Sequence, residues 1–306
     1  MPSIYLPIAE MPVNVALVLM VSGLVGFVSG LVGIGGGFIM TPSLIFLGVP
    51  APVAVATGAS QIAATSFSGI MSQSRRRNVD WRMGLLLSIG GVMGGAFGVT
   101  LFHRLLALGQ LDLIVKLLYV VFLSLIGSLM LAEGVSVMRG RAQRGAGIMS
   151  RPARTIAHRL PLRVRFPRSG LYISIIPPLL LGFGVGALAA LMGVGGAFIL
   201  VPAMIYLLRM PTNVVIGTSL FQVLIVASLI VMLQATATHT VDLVLSALLM
   251  LGGVVGAQIG TRVGTRLQSE HVRALLGAIL VVSSAKFLFD LLIRPDELYS
   301  MGGGVW

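Results

Sequence analysis

Cysteine is absent from the 306 residues, and charge is scarce, with 21 Lys and Arg against 9 Asp and Glu. Without cysteine there is no disulfide, no thiolate metal site and no transport relay through a thiol. The four histidines, His103, His158, His239 and His271, stand far apart near segment ends and make no ligand cluster. Among the acids, Glu10, Asp80, Asp112, Glu133, Asp242, Glu270, Asp296 and Glu297 fall at or beyond the ends of apolar runs, and Asp290 alone lies within one. Lys286, four residues earlier on the same helix face, supplies Asp290 with a local ion pair in preference to a proton relay. No carboxylate pair, Ser/His/Asp set or metal-binding spacing emerges. Catalysis therefore has no candidate, no cofactor is implied, and the chain does not read as an enzyme.

What is abundant is apolar surface. Hydrophobic residues make up 57% of the chain and charged ones 10%, with a mean hydropathy of +1.02, more than a globule of this length needs to fill its core. The composition belongs in a lipid bilayer. A formal net charge of +12 could serve nucleic acid, but the arginines sit in short clusters between apolar runs rather than along a polar face. They read as topology signals, with nucleic acid excluded as a partner. Glu10 and the lack of a basic stretch before the first apolar run argue against a cleaved signal peptide, so the first segment is expected to stay.

The chain is built twice. GLVGIGGGFIMTP, Gly30 to Pro42, returns as ALMGVGGAFILVP, Ala190 to Pro202, at a separation of 160. The correspondence continues through Thr57/Thr218 and Gln61/Gln222 at 161, then Asp80/Asp242 and Gly90-Gly91/Gly252-Gly253 at 162, so that about seventy residues recur in order. Measured against the roughly 20 residues an α-helix needs to cross a bilayer, each half holds five apolar segments. They span about 13–32, 38–47, 53–72, 83–105 and 113–132, then 172–192, 198–208, 214–235, 241–260 and 272–293. Eight are full length. The second and seventh, bounded by the glycine run and by Pro50 or Pro211, offer only about 15 Å of helix.

The expected fold is therefore all-α and polytopic, with about ten hydrophobic segments in two five-segment repeats and short broken helices at the glycine motifs. Arg75, Arg76, Arg77 and Arg82 fill the loop between the third and fourth segments, whereas in the second half the basic loop is the next one, with Arg262, Arg266 and Arg273. A shift of one loop favours five crossings per half, an inverted repeat and both termini outside the cytoplasm. The halves are expected at 1–132 and 171–306, joined by a basic cytoplasmic linker, 133–170, carrying nine arginines. That linker reads as a topology-fixing positive stop, or as an amphipathic helix at 151–162 lying on anionic lipid.

In hydrocarbon a helix can be interrupted only where the opened backbone meets protein, water or a ligand. Half-helices opening at Phe38 and Phe198 would point unpaired N–H groups and positive dipole ends at the interruption, which suits an anion. Small residues at spacings of four, such as Gly91/Gly95, Gly94/Gly98, Gly252/Gly256/Gly260 and Gly182/Gly186, read as close helix packing. Gly33, Gly35, Gly36 and Gly37, with Gly193, Gly195 and Gly196, give up too much helix stability for packing alone. They are not a dinucleotide fingerprint, because the third required glycine is Phe38 and no strand precedes it. Thr57 and Gln61 share a helix face, as do Thr218 and Gln222. A neutral hydroxyl and amide could hold an oxyanion, or could simply join helices.

These stretches, GLVGIGGGFIMTPSLIFLGVPAPVAVATGASQ and MGVGGAFILVPAMIYLLRMPTNVVIGTSLFQ, with GGVMGGAFG and GGVVGAQIG after them, resemble the TauE/SafE sulfite-exporter-like transporters, also called the 4-toluene sulfonate uptake permease family. The likeness covers both halves and is nearly silent on substrate. It implies a bacterial-type inner-membrane permease for small sulfur-containing anions such as sulfite, sulfoacetate or aromatic sulfonates. The positions matching the family's motifs are Gly33, Gly35, Gly36, Gly37, Pro42, Thr57 and Gln61, with Gly193, Gly195, Gly196, Pro202, Thr218 and Gln222. Ala197 departs from the pattern at the last glycine, and the linker is more basic than is usual. The expected function is an alternating-access carrier whose partners are a small anion and the lipid bilayer, with a homodimer admitted but not specified. A passive anion channel and a non-transporting membrane interaction protein are the other readings, separated by whether flux saturates and whether ligands shift the melting temperature.

Overall fold

The computed structural model describes residues 3–32, 37–76, 78–138, 163–166, 168–264 and 269–292. Within them the first half runs β1 (Ser3–Leu6), β2 (Met11–Asn14), α1 (Val15–Val32), α2 (Gly37–Phe46), α3 (Ala51–Arg75), α4 (Trp81–Ala107) and α5 (Leu111–Met138). The second repeats it as β3 (Arg163–Phe166), β4 (Leu171–Ser174), α6 (Ile176–Met192), α7 (Ala197–Tyr206), α8 (Thr212–Ala237), α9 (Leu243–Gly264) and α10 (Ser269–Leu292). The ten helices match the ten apolar segments, and the two short ones are ten residues each. Pro42 and Pro202 lie inside those short helices.

Among the described residues five helices, α4, α5, α8, α9 and α10, are long and apolar enough to cross a membrane. Eight full-length segments were expected, and the difference has two causes. The second glycine run stops α6, α1 is described only as far as Val32, and part of the run before α1 forms strand β2. Helix α3 has 25 residues but buries Thr57, Ser60, Gln61, Thr65 and Ser66 along its inner side. The outer surface is apolar, with Leu85, Ile89, Met93, Leu117, Val121, Leu251, Val255 and Val282 exposed, as lipid requires.

The halves are inverted and interlocked. Helix α3 packs antiparallel on its own duplicate α8: Gly69 faces Leu220, Ile62 lies with Val223 and Ala227, and Ala59 with Val226 and Ile230. Helices α5 and α10 do the same, from Tyr119 on Phe287 to Gly277 on Leu131. A two-fold relation across both pairs is what an inverted repeat produces. Helices α1, α4, α6 and α9 exchange partners between the halves in parallel pairs. A carbon added to Gly90, Gly94 or Gly98 of α4 would lie 2.2, 1.9 or 2.6 Å from the carbonyl oxygens of Leu179, Phe183 and Ala187 on α6. The duplicate set, Gly252, Gly256 and Gly260 of α9, would meet those of Leu19, Gly23 and Phe27 on α1 at 2.9, 2.0 and 2.1 Å. These glycines let backbones touch, as their spacing predicted.

Each half opens with a two-stranded antiparallel hairpin, β1 on β2 and β3 on β4. The second occupies residues 163–174, which the sequence placed mostly in the linker. Both hairpins tuck side chains, Leu6 and Ala9 or Phe166 and Ile173, into an apolar cluster with the short helix of their own half and the first turns of the other half's helix, α9 or α4. The arginine-rich stretch 139–162, including the amphipathic-helix reading at 151–162, lies outside the described residues.

Candidate functional site

Helix α6 stops because three glycines turn left-handed, Gly193, Gly195 and Gly196 at φ of 66, 70 and 75°. That conformation strains any residue with a Cβ. Space forbids one as well: it would lie 2.4 Å from Val55 O at Gly193, 2.5 Å from Ile62 Cγ2 at Gly195 and 2.3 Å from Val185 Cγ1 at Gly196. The whole break, 191–198, is buried in protein. Helix α7 then starts with Gly196 as its N-cap and no capping side chain, so its first N–H groups are left without a side-chain partner. In the first copy Gly33, Gly35 and Gly36 lie outside the described residues, and Gly37 opens α2. A carbon on Gly37 would fall 2.1 Å from Ile62 Cδ1 and 2.7 Å from Val194 O.

The two half-helix starts therefore meet. Phe38 and Phe198, equivalent residues on the first turns, have ring centroids 6.0 Å apart and tilted by 41°. Ile62, Val223, Ala197 and Ala227 form a small buried apolar cluster where α3, α8 and the start of α7 come together.

One residue before each of the central pair Ile62 and Val223 stands a buried glutamine. Gln61 Nε2 donates to Ser22 O at 3.3 Å and lies 3.4 Å from Ser22 Oγ, while its Oε1 has no partner. Gln222 is fully buried, and neither Nε2 nor Oε1 has a partner. Each amide occupies room left by a glycine of the opposite half, since a carbon on Gly253 or Gly91 would lie 2.5 or 2.7 Å from the respective Nε2. Ser22 corresponds to Gly182 at the separation of 160, which is why only Gln61 has this neighbour. The glutamines thus form two related polar spots, one against α1 and α9 and one against α4, rather than one shared cluster.

The threonines sit with other partners. Thr57 Oγ1 accepts the backbone N–H of Asp242 at 3.1 Å, and Thr218 Oγ1 accepts that of Asp80 at 3.0 Å. Both aspartates are buried helix caps rather than loop acids. Asp80 accepts from Met83 N and from Ser169 N and Oγ at 3.2, 3.0 and 2.6 Å, and Asp242 from Leu245 N and Ile8 N at 3.0 and 3.1 Å. Each cap joins the hairpin of the opposite half to the opposite half's long helix.

Sequence reasoning passed over three residues at the break. Thr41, Tyr119 and Gln234, all fully buried, hydrogen-bond the carbonyls of Gly193, Met192 and Ala190. Thr41 is replaced by Val201 in the duplicate, so comparing copies conceals it. Lys286 does not make the expected pair with Asp290. Its Nζ stands 3.9 Å from the centre of the Phe46 ring, and Asp290 is exposed. Among the described residues no group of three or more His, Cys, Asp or Glu is placed to hold a metal ion.

Inverted duplicates, broken half-helices meeting in the interior and an apolar exterior define a multi-pass membrane protein of the transporter type. The family model described as "Sulfite exporter TauE/SafE" matches residues 18–287, and the chain belongs to that family. A "Probable membrane transporter protein" of Xylella fastidiosa (strain 9a5c) is 30% identical over 236 residues, covering 76% of this chain and 78% of the relative. The Bacillus subtilis (strain 168) protein named "Probable membrane transporter protein YjnA" is 26% identical over 282 residues, covering 90% of this chain and all of the relative. Its compatriot "Probable membrane transporter protein YunE" is 24% identical over 286 residues, 90% and 97% of the two chains. No solved structure matches. The chain is a membrane transporter of the TauE/SafE family.

Proposed function

We propose that the protein carries small sulfur-containing oxyanions, sulfite, sulfoacetate or other organosulfonates, across the cell inner membrane by alternating access. The observation that carries this reading is Gln222, an amide sealed from water with donor and acceptor both unused beside the meeting point of the half-helices. An unpaired buried amide costs stability unless a ligand completes it. The uncapped start of α7 adds N–H groups and a positive dipole end, so a negative solute gains donors without a buried cation being desolvated. In the first copy the same role falls to Gly33, Gly35, Gly36, Gly37 and Phe38 with Thr57 and Gln61. In the second it falls to Gly193, Gly195, Gly196 and Phe198 with Thr218 and Gln222.

The apolar cluster of Ile62, Val223, Ala197 and Ala227 packs α3 against α8 at the start of α7. Transport then needs α3 and α8 to part on one side at a time, which inverted halves allow by exchanging conformations. The arginine-rich linker lies on the cytoplasmic side in this reading. The family's printed name, sulfite exporter, supports the substrate class. A melting-temperature survey of the purified protein against sulfite, sulfoacetate, 4-toluenesulfonate, sulfate and chloride tests it. A saturable rise with one of the first three, absent in Gln222→Leu, is expected; identical curves in all five would remove the substrate assignment.

A further inference from the structure

The two exchanged pairs, α1 with α9 and α6 with α4, are built alike but finished differently on their outer side. A carbon on Gly256 would lie 2.0 Å from Gly23 O, and one on Gly94 would lie 1.9 Å from Phe183 O, so Gly23 and Phe183 hold equivalent places. Ile259 corresponds in the same way to Phe97, at the separation of 162. In the pair α6 and α4 these places carry two aromatic rings that meet across the seam, Phe183 and Phe97, with centroids 5.9 Å apart. In the pair α1 and α9 one ring is missing and the other is cut back to isoleucine. A groove of about 450 Å³ opens there, between Leu19, Gly23 and Phe27 on α1 and Leu251, Val255 and Ile259 on α9. A carbon added to Gly23 would meet only Gly252 O, at 3.8 Å.

Every residue that lines the groove is apolar, so it offers nothing to a headgroup, an ion or water. It lies half-way along both helices and runs for about 12 Å, and α9 is long and apolar enough to cross a membrane. Leu251, Val255 and Ile259 are exposed on that face, which places the groove against the middle of the bilayer. Two occupants could reach it, a lipid chain and a helix of a second copy. A second helix does not fit. Membrane helices approach one another through small residues spaced by four, and at that spacing Gly23 is flanked by Leu19 and Phe27. The eight lining residues also fall far short of the roughly 20–30 a side that a stable association uses.

We propose that the groove between α1 and α9 binds one acyl chain of a membrane phospholipid, in the place that Phe97 and Phe183 fill in the other pair. A lipid chain is narrow, flexible and free of side groups, so it can follow the seam past Leu19 and Phe27. The hydrophobic effect does not hold it there, since bulk lipid is as apolar as the walls. Close contact does, because an unfilled seam would leave the wall atoms without partners on one side. The proposal does not rest on the sulfonate reading.

The test is lipid retention by the purified full-length protein, counted by native mass spectrometry after detergent stripping. The probes are dioleoylphosphatidylglycerol and dihexanoylphosphatidylglycerol, which share a headgroup, but only the first has chains that reach the middle of the bilayer. Wild type is expected to keep one dioleoyl lipid more than Gly23→Phe or Ile259→Phe, and none of the dihexanoyl lipid. Phe183→Gly, which opens the matching seam, should keep one more than wild type, and no gain there counts against the proposal. The dioleoyl lipid should also raise the melting temperature of wild type saturably, and that of Gly23→Phe by less. Equal retention in wild type and both filled variants overturns the proposal. So does equal retention of the two lipids, which would assign binding to the headgroup. A doubled mass that Gly23→Phe abolishes would give the groove to a second copy and overturn it as well. If Gly23→Phe yields no folded protein, Ile259→Phe on the exposed rim carries the same comparison. A protein that keeps the lipid but binds no sulfonate would fault the anion reading and not this one.

Discussion

Thr218 Oγ1 accepts the backbone N–H of Asp80 at 3.0 Å, tying the second half of the chain to the first. The same bond recurs in reverse at the other end of the fold, from Asp242 N–H to Thr57 Oγ1 at 3.1 Å. Both N–H groups are buried, so removing either oxygen leaves a donor unpaired. Thr57→Val and Thr218→Val should each lower stability by about 1–3 kcal/mol. Thr→Ser at either place keeps the oxygen and should cost less than half as much. Thermal melting of the four variants decides, and equal losses for Val and Ser would dismiss the bond as the cause.

Gln222 predicts a dissociation between stability and transport. Because neither polar atom of its amide has a partner, Gln222→Leu should leave the melting temperature unchanged or raise it. Gln61→Leu gives up the contacts of Nε2 with Ser22 and should melt lower than Gln222→Leu. Both should transport at least about tenfold more slowly, a loss of about 1.4 kcal/mol. A Gln222→Leu protein that melts several degrees lower would mean the amide is bonded within the protein.

The glycines divide sharply by what surrounds them. A carbon on Gly94 would come within 1.9 Å of Phe183 O, whereas at Gly184 nothing lies within 4 Å. Gly94→Val should cost about 3 kcal/mol or more, by forcing α4 from α6. Gly184→Ala should change stability by less than about 1 kcal/mol and in the favourable direction. Melting of the two variants side by side checks the packing of the exchanged helix pairs.

Inversion of the halves can be read by labelling, since the chain has no cysteine of its own. Helices α4 and α8 run parallel, with Gly84 on Phe221, Gly91 on Val226 and Gly95 on Ile230. The turns that follow them, holding Gln110 and His239, therefore share one side, opposite Arg76. Gln110→Cys and His239→Cys should react with an impermeant thiol reagent from the same face of sealed vesicles, and Arg76→Cys from the other. Labelling of all three from one face is incompatible with the fold.

Much of this architecture could be read from the residues because lipid leaves few choices. Apolar length gave the ten segments, glycine density marked the breaks, and the one-loop shift of arginine pointed to inversion, which the antiparallel α3 and α8 display. What escaped depends on contacts between distant residues. Asp80 and Asp242 look like loop acids until the opposite hairpin closes on them, and Thr57 reads as half of a Thr/Gln pair until Asp242, 185 positions away, arrives beside it. The four-residue strands are too short for their alternation to stand out. Tyr119 and Gln234 reveal themselves only by the carbonyls they meet, and matching the copies favours what both share over what one of them adds.

The account stands or falls on sulfonate uptake by protein reconstituted into sealed vesicles, measured for the wild type and for Gly35→Val, Gly195→Val, Gln61→Leu and Gln222→Leu. Saturable uptake of sulfite or an organosulfonate, lost in the four variants while each remains inserted in the membrane, is the predicted result. Unsaturable flux, or wild-type rates in all four, would contradict a carrier built on these broken helices.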